Sequence, residues 1–309
     1  MARFVLISIA QDRLLYTFSA RDAPMPELPE VETMRRGIAS LRGWTIEAVQ
    51  RPPCRLKPIQ IAPDWPTFRR RARGARIVEV GRVGKRVVLH MDSDDRIVFE
   101  PRMTGLVLLA DPPNEEHLRV RFTLNHPKRS KPQQLLYWDR RGLGSVRWLT
   151  PEEFQGQLGP NKLGPDALAI DGIALGQRLM QSGRPIKVAL LDQRIVAGIG
   201  NLYASEILFL CGIHPRRRCD RLRRKDYQAL ATAIHEVLNE AIRYEGSTLG
   251  DGTYRNALNQ SGSYQHHHRV YAKTGELCRA CGKETIRRMV QAQRATFFCP
   301  RCQKPPRTR

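Results

Sequence analysis

Four cysteines near the C-terminal end are spaced as a metal site: Cys278-x2-Cys281, seventeen intervening residues, then Cys299-x2-Cys302. Each pair can bite one side of a tetrahedral ion, and four thiolates leave no open coordination position, so the chemistry is that of structural zinc. Disulfides are the competing use of the same residues, favoured only in an oxidising compartment. Near the other end lies a short acidic run bounded by prolines, Met25-Pro26-Glu27-Leu28-Pro29-Glu30. A proline nitrogen inside a chain is an amide without nucleophilicity. At a terminus it is a secondary amine, and an α-amino pKa of about 7.7–8.0 leaves a useful neutral fraction near pH 7. Such an amine attacks a sugar carbon to give an iminium, with Glu27 next door to move protons. A proline-punctuated linker before a helix produces the same local pattern.

The elements that must position these groups fall into three stretches. From 45 to 149, short β-rich runs recur between turn signals, at 45–49, 76–80, 86–91, 96–99, 106–109, 117–124, 135–138 and 145–149. Alternation such as Leu118-Arg119-Val120-Arg121-Phe122 marks strands with one buried and one wet face, hence an antiparallel sandwich or barrel. Residues 151–172 are rich in Gly and Pro and read as a linker. Helical patterning follows at 173–181, 186–193, 201–210 and 225–244, the last with a wide apolar stripe. Gly198-Ile199-Gly200-Asn201 leads into the third of these, and a helix N-terminus of that kind presents free N–H groups to an anion; a plain glycine turn with an Asn cap is the alternative. The expectation is an α+β, multidomain chain: an N-terminal antiparallel β-sandwich at 25–150, a linker at 151–172, a helical domain at 173–262 and a four-cysteine hairpin at 263–304.

Composition narrows the partner. The 309 residues carry a formal net charge of +22, so a polyanion is expected. Between 278 and 309 stand nine Lys or Arg against one Glu, and Arg216 to Lys225 (RRRCDRLRRK) holds seven basic residues against one Asp. No apolar run approaches the ~18–20 residues of a membrane span. The segment after Met1 is interrupted by Asp12 and Arg13 and lacks a small-residue cleavage site, making it a poor signal peptide. A cytoplasmic, reducing location follows, in which the cysteines stay free for metal. Residues 1–24 are a mis-called start, a processed leader or a true extension, the first being favoured. His266-His267-His268 is given no metal, because neighbouring side chains rarely converge on one ion.

Three separated motifs, MPELPEVETMRRG (25–37), GNLYASE (200–206) and QRATFFCPRC (293–302), resemble in order those of the formamidopyrimidine-DNA glycosylases. The resemblance covers nearly everything from 25 to 304. It implies a bifunctional DNA glycosylase/AP lyase of base-excision repair, acting as a monomer on damaged double-stranded DNA, removing oxidised purines through a Pro26 Schiff base and successive β- and δ-elimination. One structural zinc is implied, on Cys278, Cys281, Cys299 and Cys302. The helical domain becomes a helix–two-turn–helix DNA-binding element and the tail a zinc finger.

The resemblance also assigns roles. Pro26 is the nucleophile, Glu27 the proton donor, Glu30 a support for the site, and Lys85 and Arg294 electrostatic helpers at phosphate. Met103, Arg141 and Leu143 fill the void left by the extruded base, with Leu143 where an aromatic is usual and Glu100 where a His is frequent. Asn201, Lys187 and His117 contact the DNA backbone. The endonuclease VIII-like branch, acting on oxidised pyrimidines, is the nearest alternative; Leu28, where that branch usually has Gly, favours the purine-directed one. A non-catalytic zinc-ribbon DNA-binding protein is the reading if the 1–24 extension blocks Pro26.

Overall fold

The structure is a computed structural model that describes residues 25–250 and 252–306; the expectations for residues 1–24 lie outside the described residues. It opens on helix α1 (Leu28–Gly37), with Pro29 and Glu30 in the first turn and Arg35 and Arg36 in the last. Proline at a helix start loses no intrahelical bond, and the charges complement the helix dipole. The helix is buried between two cores. Leu28 packs into the helical core, whereas Val31, Met34 and Ile38 enter that of the sandwich.

The sandwich is built from β1 (Thr45–Gln50), β2 (Gln60–Ala62), β3 (Ile77–Val83), β4 (Arg86–Met91), β5 (Arg96–Glu100), β6 (Gly105–Leu108), β7 (Leu118–Asn125), β8 (Gln133–Asp139) and β9 (Ser145–Leu149). One sheet runs β1-β7-β8-β6 and the other β2-β9-β5-β4-β3. Every pair is antiparallel except β2 with β9. Phe68, Phe99, Phe122, Tyr137 and Trp148 fill the core between them. Phe68 comes from α2 (Trp65–Ala72), a helix capped by Asp64 that the sequence reading did not contain. The stretch 151–172, read as linker, begins with a further helix, α3 (Pro151–Leu158), started by the Thr150 hydroxyl accepting from the N–H of Glu153.

The second half packs α4 (Gly172–Leu179), α5 (Ile186–Leu190), α6 (Asn201–Leu210) and α7 (Arg224–Arg243) around Ile207, Leu208, Leu230, Ile234, Val237 and Leu238. The terminal hairpin, β10 (Arg287–Gln291) with β11 (Arg294–Phe298), adds Ala295 and Phe297 to that same core. Glu206, wholly buried on α6, accepts the backbone N–H groups of Arg269, Val270 and Tyr271 at 2.8, 3.0 and 2.8 Å. A buried carboxylate is tolerable only with its oxygens satisfied in this way. The chain leading to the hairpin is thereby stitched to α6.

Candidate active site

Pro26 is buried immediately before α1, and Glu27 is the N-cap of that helix. The Glu27 side chain forms a capping box with Glu30 and also reaches beyond its own helix. Its carboxylate accepts from the backbone N–H of Gly200 at 2.6 Å and of Leu202 at 2.9 Å, where α6 begins. Unpaired N–H groups and the positive end of the dipole make that helix start an anion site. The sequence expectation placed a phosphate there; the anion the structure puts on these two N–H groups is Glu27. A Cβ at position 200 would overlap the Glu27 carboxyl group and force it off these donors. Burial pushes the Glu27 carboxyl above its ordinary range, against the pull of Lys85 and the N–H donors.

Glu30 lies one turn along. It takes the hydroxyl of Tyr203 at 2.6 Å, the N–H of Ser247 at 2.9 Å and the N–H of Glu27 at 3.0 Å. Burial drives its carboxyl up to about 7; the Tyr203 hydroxyl opposes this and the Glu27 charge adds to it. Three donors favour the anion and burial favours the acid, so the group is balanced near neutrality. Around it, Ser247 Oγ lies 3.0 Å from His268 Nε2, and the Tyr254 hydroxyl donates to the Glu245 carbonyl at 2.9 Å. These contacts close the segment after α7 over α1. His267 stacks on Tyr244 at 3.7 Å, so neighbouring histidines face different partners.

Lys85 sits half-buried in the turn between β3 and β4. Burial lowers its ammonium pKa, with Glu27 and Glu30 opposing and Arg294 contributing. The turn is held by Arg82, whose guanidinium donates to the Gly84 carbonyl at 2.8 Å, to Glu32 at 3.0 Å and to both oxygens of Asp166 at 2.7 and 2.9 Å. Planar, two-point pairing of that kind fixes direction as well as distance. Sequence reasoning missed Arg82; nothing local distinguishes it from other strand arginines.

Arg294 is exposed at the start of β11, after a hairpin turn in which Ala292 and Gln293 both have positive φ, 46° and 61°. Two-residue turns of this hand usually use Asn or Gly, so the tip is strained by its sequence. Behind it Lys187 is 1% exposed, and its ammonium donates to Asn201 Oδ1 at 2.8 Å, the Ala295 carbonyl at 3.0 Å and Thr296 Oγ1 at 2.8 Å. Asn201 Nδ2 reaches the same Ala295 carbonyl at 3.0 Å. The ammonium expected at the DNA backbone is thus directed to protein acceptors, and burial pushes its pKa down to about 7. Lys187 joins the hairpin to α6.

A third group gathers on the sandwich. Arg102, with φ 53°, precedes half-buried Met103; Arg141 and Leu143 are exposed on the turn between β8 and β9. Arg141 Nη1 stands 3.4 Å from Met103 Sδ, so the structure brings the expected void-filling residues together. Glu100 holds Arg86 and Arg102 at 3.0 and 3.1 Å and Arg147 at 3.3 Å, a local excess of positive charge. His117 packs edge-on against Trp138, ring centroids 5.3 Å apart, with Nδ1 lacking a partner among the described residues.

The four tail cysteines converge. Sγ atoms of Cys278 and Cys302, and of Cys281 and Cys299, are 3.8 Å apart, and all four lie within 4.8 Å of one another. Thiolates about 2.3 Å from a tetrahedral zinc stand roughly 3.8 Å apart, while a disulfide needs about 2.05 Å. The donor set fits one structural zinc. Cys54, Cys211 and Cys219 lie outside the cluster.

Comparison with known proteins agrees along the chain. Residues 25–146 match the formamidopyrimidine-DNA glycosylase N-terminal domain, 162–252 the formamidopyrimidine-DNA glycosylase H2TH domain, and 275–305 the zinc finger found in FPG and IleRS. The formamidopyrimidine-DNA glycosylase of Chloroflexus aurantiacus is 38% identical over 283 residues, covering 90% of this chain and 98% of that protein. The Bacillus subtilis enzyme is 38% identical over 285 residues, covering 90% and 99%. Among solved structures, a Lactococcus lactis FPG mutant in complex with a Fapy-dG containing DNA superposes with a TM-score of 0.79 at 32% identity, covering 91% of this chain and 100% of that one. The MutM (FPG) protein of Thermus thermophilus gives 0.78 at 34% identity, with coverage of 91% and 100%. With its sandwich, its helical element and its four-thiolate hairpin all matched in order, the chain belongs to the formamidopyrimidine-DNA glycosylases, the bifunctional glycosylase/AP lyases of base-excision repair.

Proposed function

We propose that the working form begins at Pro26 and excises oxidised purines, formamidopyrimidines and 8-oxoguanine, from duplex DNA by covalent catalysis at that residue. The observation that carries this reading is the buried acidic cluster at the head of α1, where Glu27 and Glu30 sit within electrostatic reach of Lys85 and Lys85 within reach of Arg294. The freed secondary amine attacks C1′ of the extruded nucleoside, and the glycosidic bond breaks with the base taking up the proton that the amine loses. Glu27, whose carboxyl burial raises above its ordinary range, is the proton donor to O4′ as the C1′–O4′ bond opens. The resulting iminium acidifies C2′; loss of that proton expels the 3′ phosphate, and loss of the C4′ proton then expels the 5′ phosphate. Hydrolysis of the imine returns the amine.

The other groups bind. Arg294, Lys85 and Asn201 grip the backbone flanking the lesion, with Lys187 bracing Asn201 from behind. Met103, Arg141 and Leu143 enter the stack, where apolar wedges hold a base step open. His117 contacts the backbone at the edge of this group. Zinc, when bound, supplies rigidity to the hairpin and takes no part in the steps. In this proposal the protein works on DNA as a monomer in the bacterial cytoplasm. Among the described residues no helix is long and apolar enough to cross a membrane. Borohydride reduction during turnover tests the reading: it should trap a protein–DNA adduct, lost when the Pro26 nitrogen is selectively acetylated while duplex binding remains. Binding without any trap in the Pro26-led protein would favour a non-catalytic DNA-binding role.

A further inference from the structure

Asp139 is the last residue of β8 and is wholly buried. Its carboxylate takes no part in the acidic cluster of Glu27 and Glu30. Instead Oδ1 accepts the Thr104 hydroxyl and the Arg141 N–H at 3.2 Å, and Oδ2 accepts the Gly144 N–H at 2.8 Å. Thr104 Oγ1 also takes the Arg141 N–H, at 3.0 Å. Thr104 follows Met103; Arg141 and Gly144 enclose Leu143. One carboxylate therefore ties together the two turns that carry Met103, Arg141 and Leu143.

The backbone around it is shaped for this contact. The Tyr137 hydroxyl lies beneath both turns and donates to the Glu100 carbonyl at 3.0 Å. A Cβ at Gly105 would come within 2.6 Å of that hydroxyl, and one at Gly144 would overlap it. Arg119, itself buried, donates to the Asp139 carbonyl at 2.8 Å. Burying a carboxylate costs free energy that only well-made hydrogen bonds offset. Here the donors come from both turns at once, so neither turn can shift without breaking bonds to the other.

We propose that Asp139 is a positioning residue for base extrusion, setting the spacing of Met103 against Arg141 and Leu143 so that the three enter the duplex as one rigid wedge. The proposal rests on the void-filling reading of those three residues. Preorganisation of this kind matters because displacing a reacting or inserting group by about 1 Å can cost on the order of 100-fold in rate. Removal of a base from an intact stack needs the wedge. Cleavage at a preformed abasic site, where no base remains to extrude, needs it much less.

The test compares single-turnover excision of 8-oxoguanine with strand cleavage at a preformed abasic site, using the zinc-loaded, Pro26-led protein. In Asp139→Asn an amide N–H2 replaces one acceptor, so one turn loses its bond. Excision should fall roughly 10- to 100-fold, abasic cleavage by less than about threefold, and the fluorescence rise of 2-aminopurine placed opposite the lesion should shrink. Thr104→Val, which removes only the hydroxyl, should shift the ratio of the two activities in the same direction, and Thr104→Ser should restore it. If Asp139→Asn fails to fold, the Thr104 pair carries the test. Parallel loss of both activities in a folded variant, or no loss of either, overturns the proposal. Met103→Ala and Leu143→Ala separate the two levels: if they leave excision intact, the wedge reading fails, whereas if they lower it and the Asp139 and Thr104 variants do not, the positioning role alone fails.

Discussion

The Glu27 carboxylate rests 2.6 Å from the backbone nitrogen of Gly200, joining residues 173 apart in sequence and docking the head of α1 onto the N-terminus of α6. The contact fixes where the residue after Pro26 points. It also ties a proton donor to the helix that begins with Asn201.

Gly200→Ala should break this contact, because the new Cβ would overlap the Glu27 carboxyl group. Excision should fall at least as far as in Glu27→Gln, where the donor itself is lost and about 100- to 10,000-fold is the usual range for a general acid. Single-turnover excision with zinc content as a folding control measures both. A Gly200→Ala protein with ordinary activity would mean that the docked carboxylate is dispensable.

Glu30 makes stability depend on pH in an unusual direction. Its folded pKa, about 7, lies above the ordinary value of 4.5, so between those limits the folded state holds more protons than the unfolded one. Unfolding free energy from this group is then fully present below about pH 4.5 and is lost as pH rises through 7, by as much as about 3 kcal/mol. Denaturant titrations from pH 4.5 to 7.5 should show wild-type stability declining relative to Glu30→Gln. Parallel curves for the two proteins would remove Glu30 as the source.

Zinc removal should act on DNA binding before it acts on the sandwich. The cysteine hairpin shares its core with α5 to α7, and Lys187 and Asn201 hang on the Ala295 carbonyl of β11. Chelation should therefore release Arg294 and Asn201 together and weaken duplex binding at least tenfold, while the near-UV signal of the sandwich tryptophans persists. Unchanged affinity after measured metal loss would contradict this.

Arg294→Ala should lower affinity and reduce the slope of log affinity against log salt by about 0.9, the release expected for one phosphate contact. An unaltered slope would take Arg294 off the DNA.

Much of this was legible from the chain alone where the signal is local. Strands at 86–91 and 145–149 and the helix at 201–210 stand where alternation and the Gly-Asn start put them, and the cysteine pairs show their partners by spacing. Helix α2 was hidden because only Phe68 and Ala72 are buried in an arginine-rich turn, too few to show a period. Strand β2 exists only by pairing with β9, about 85 residues on, which local propensity does not register. The site divides in the same way. Glu27, Lys85 and Arg294 could be named from motifs, but the destination of each side chain is set by tertiary contact. That Glu27 would occupy the α6 N-terminus, that Lys187 would face protein, and that Arg82 and Asp139 would hold the turns beneath Lys85 and Leu143 are properties of the assembled fold.

The central claim is that the amine of Pro26 becomes bonded to deoxyribose. It is tested most directly by digesting the borohydride-reduced complex formed with 8-oxoguanine duplex and sequencing the cross-linked peptide by mass spectrometry. The sugar remnant should sit on the nitrogen of Pro26, with nothing preceding it. A remnant on a lysine, or on a peptide still carrying Met25 and residues before it, would contradict the account.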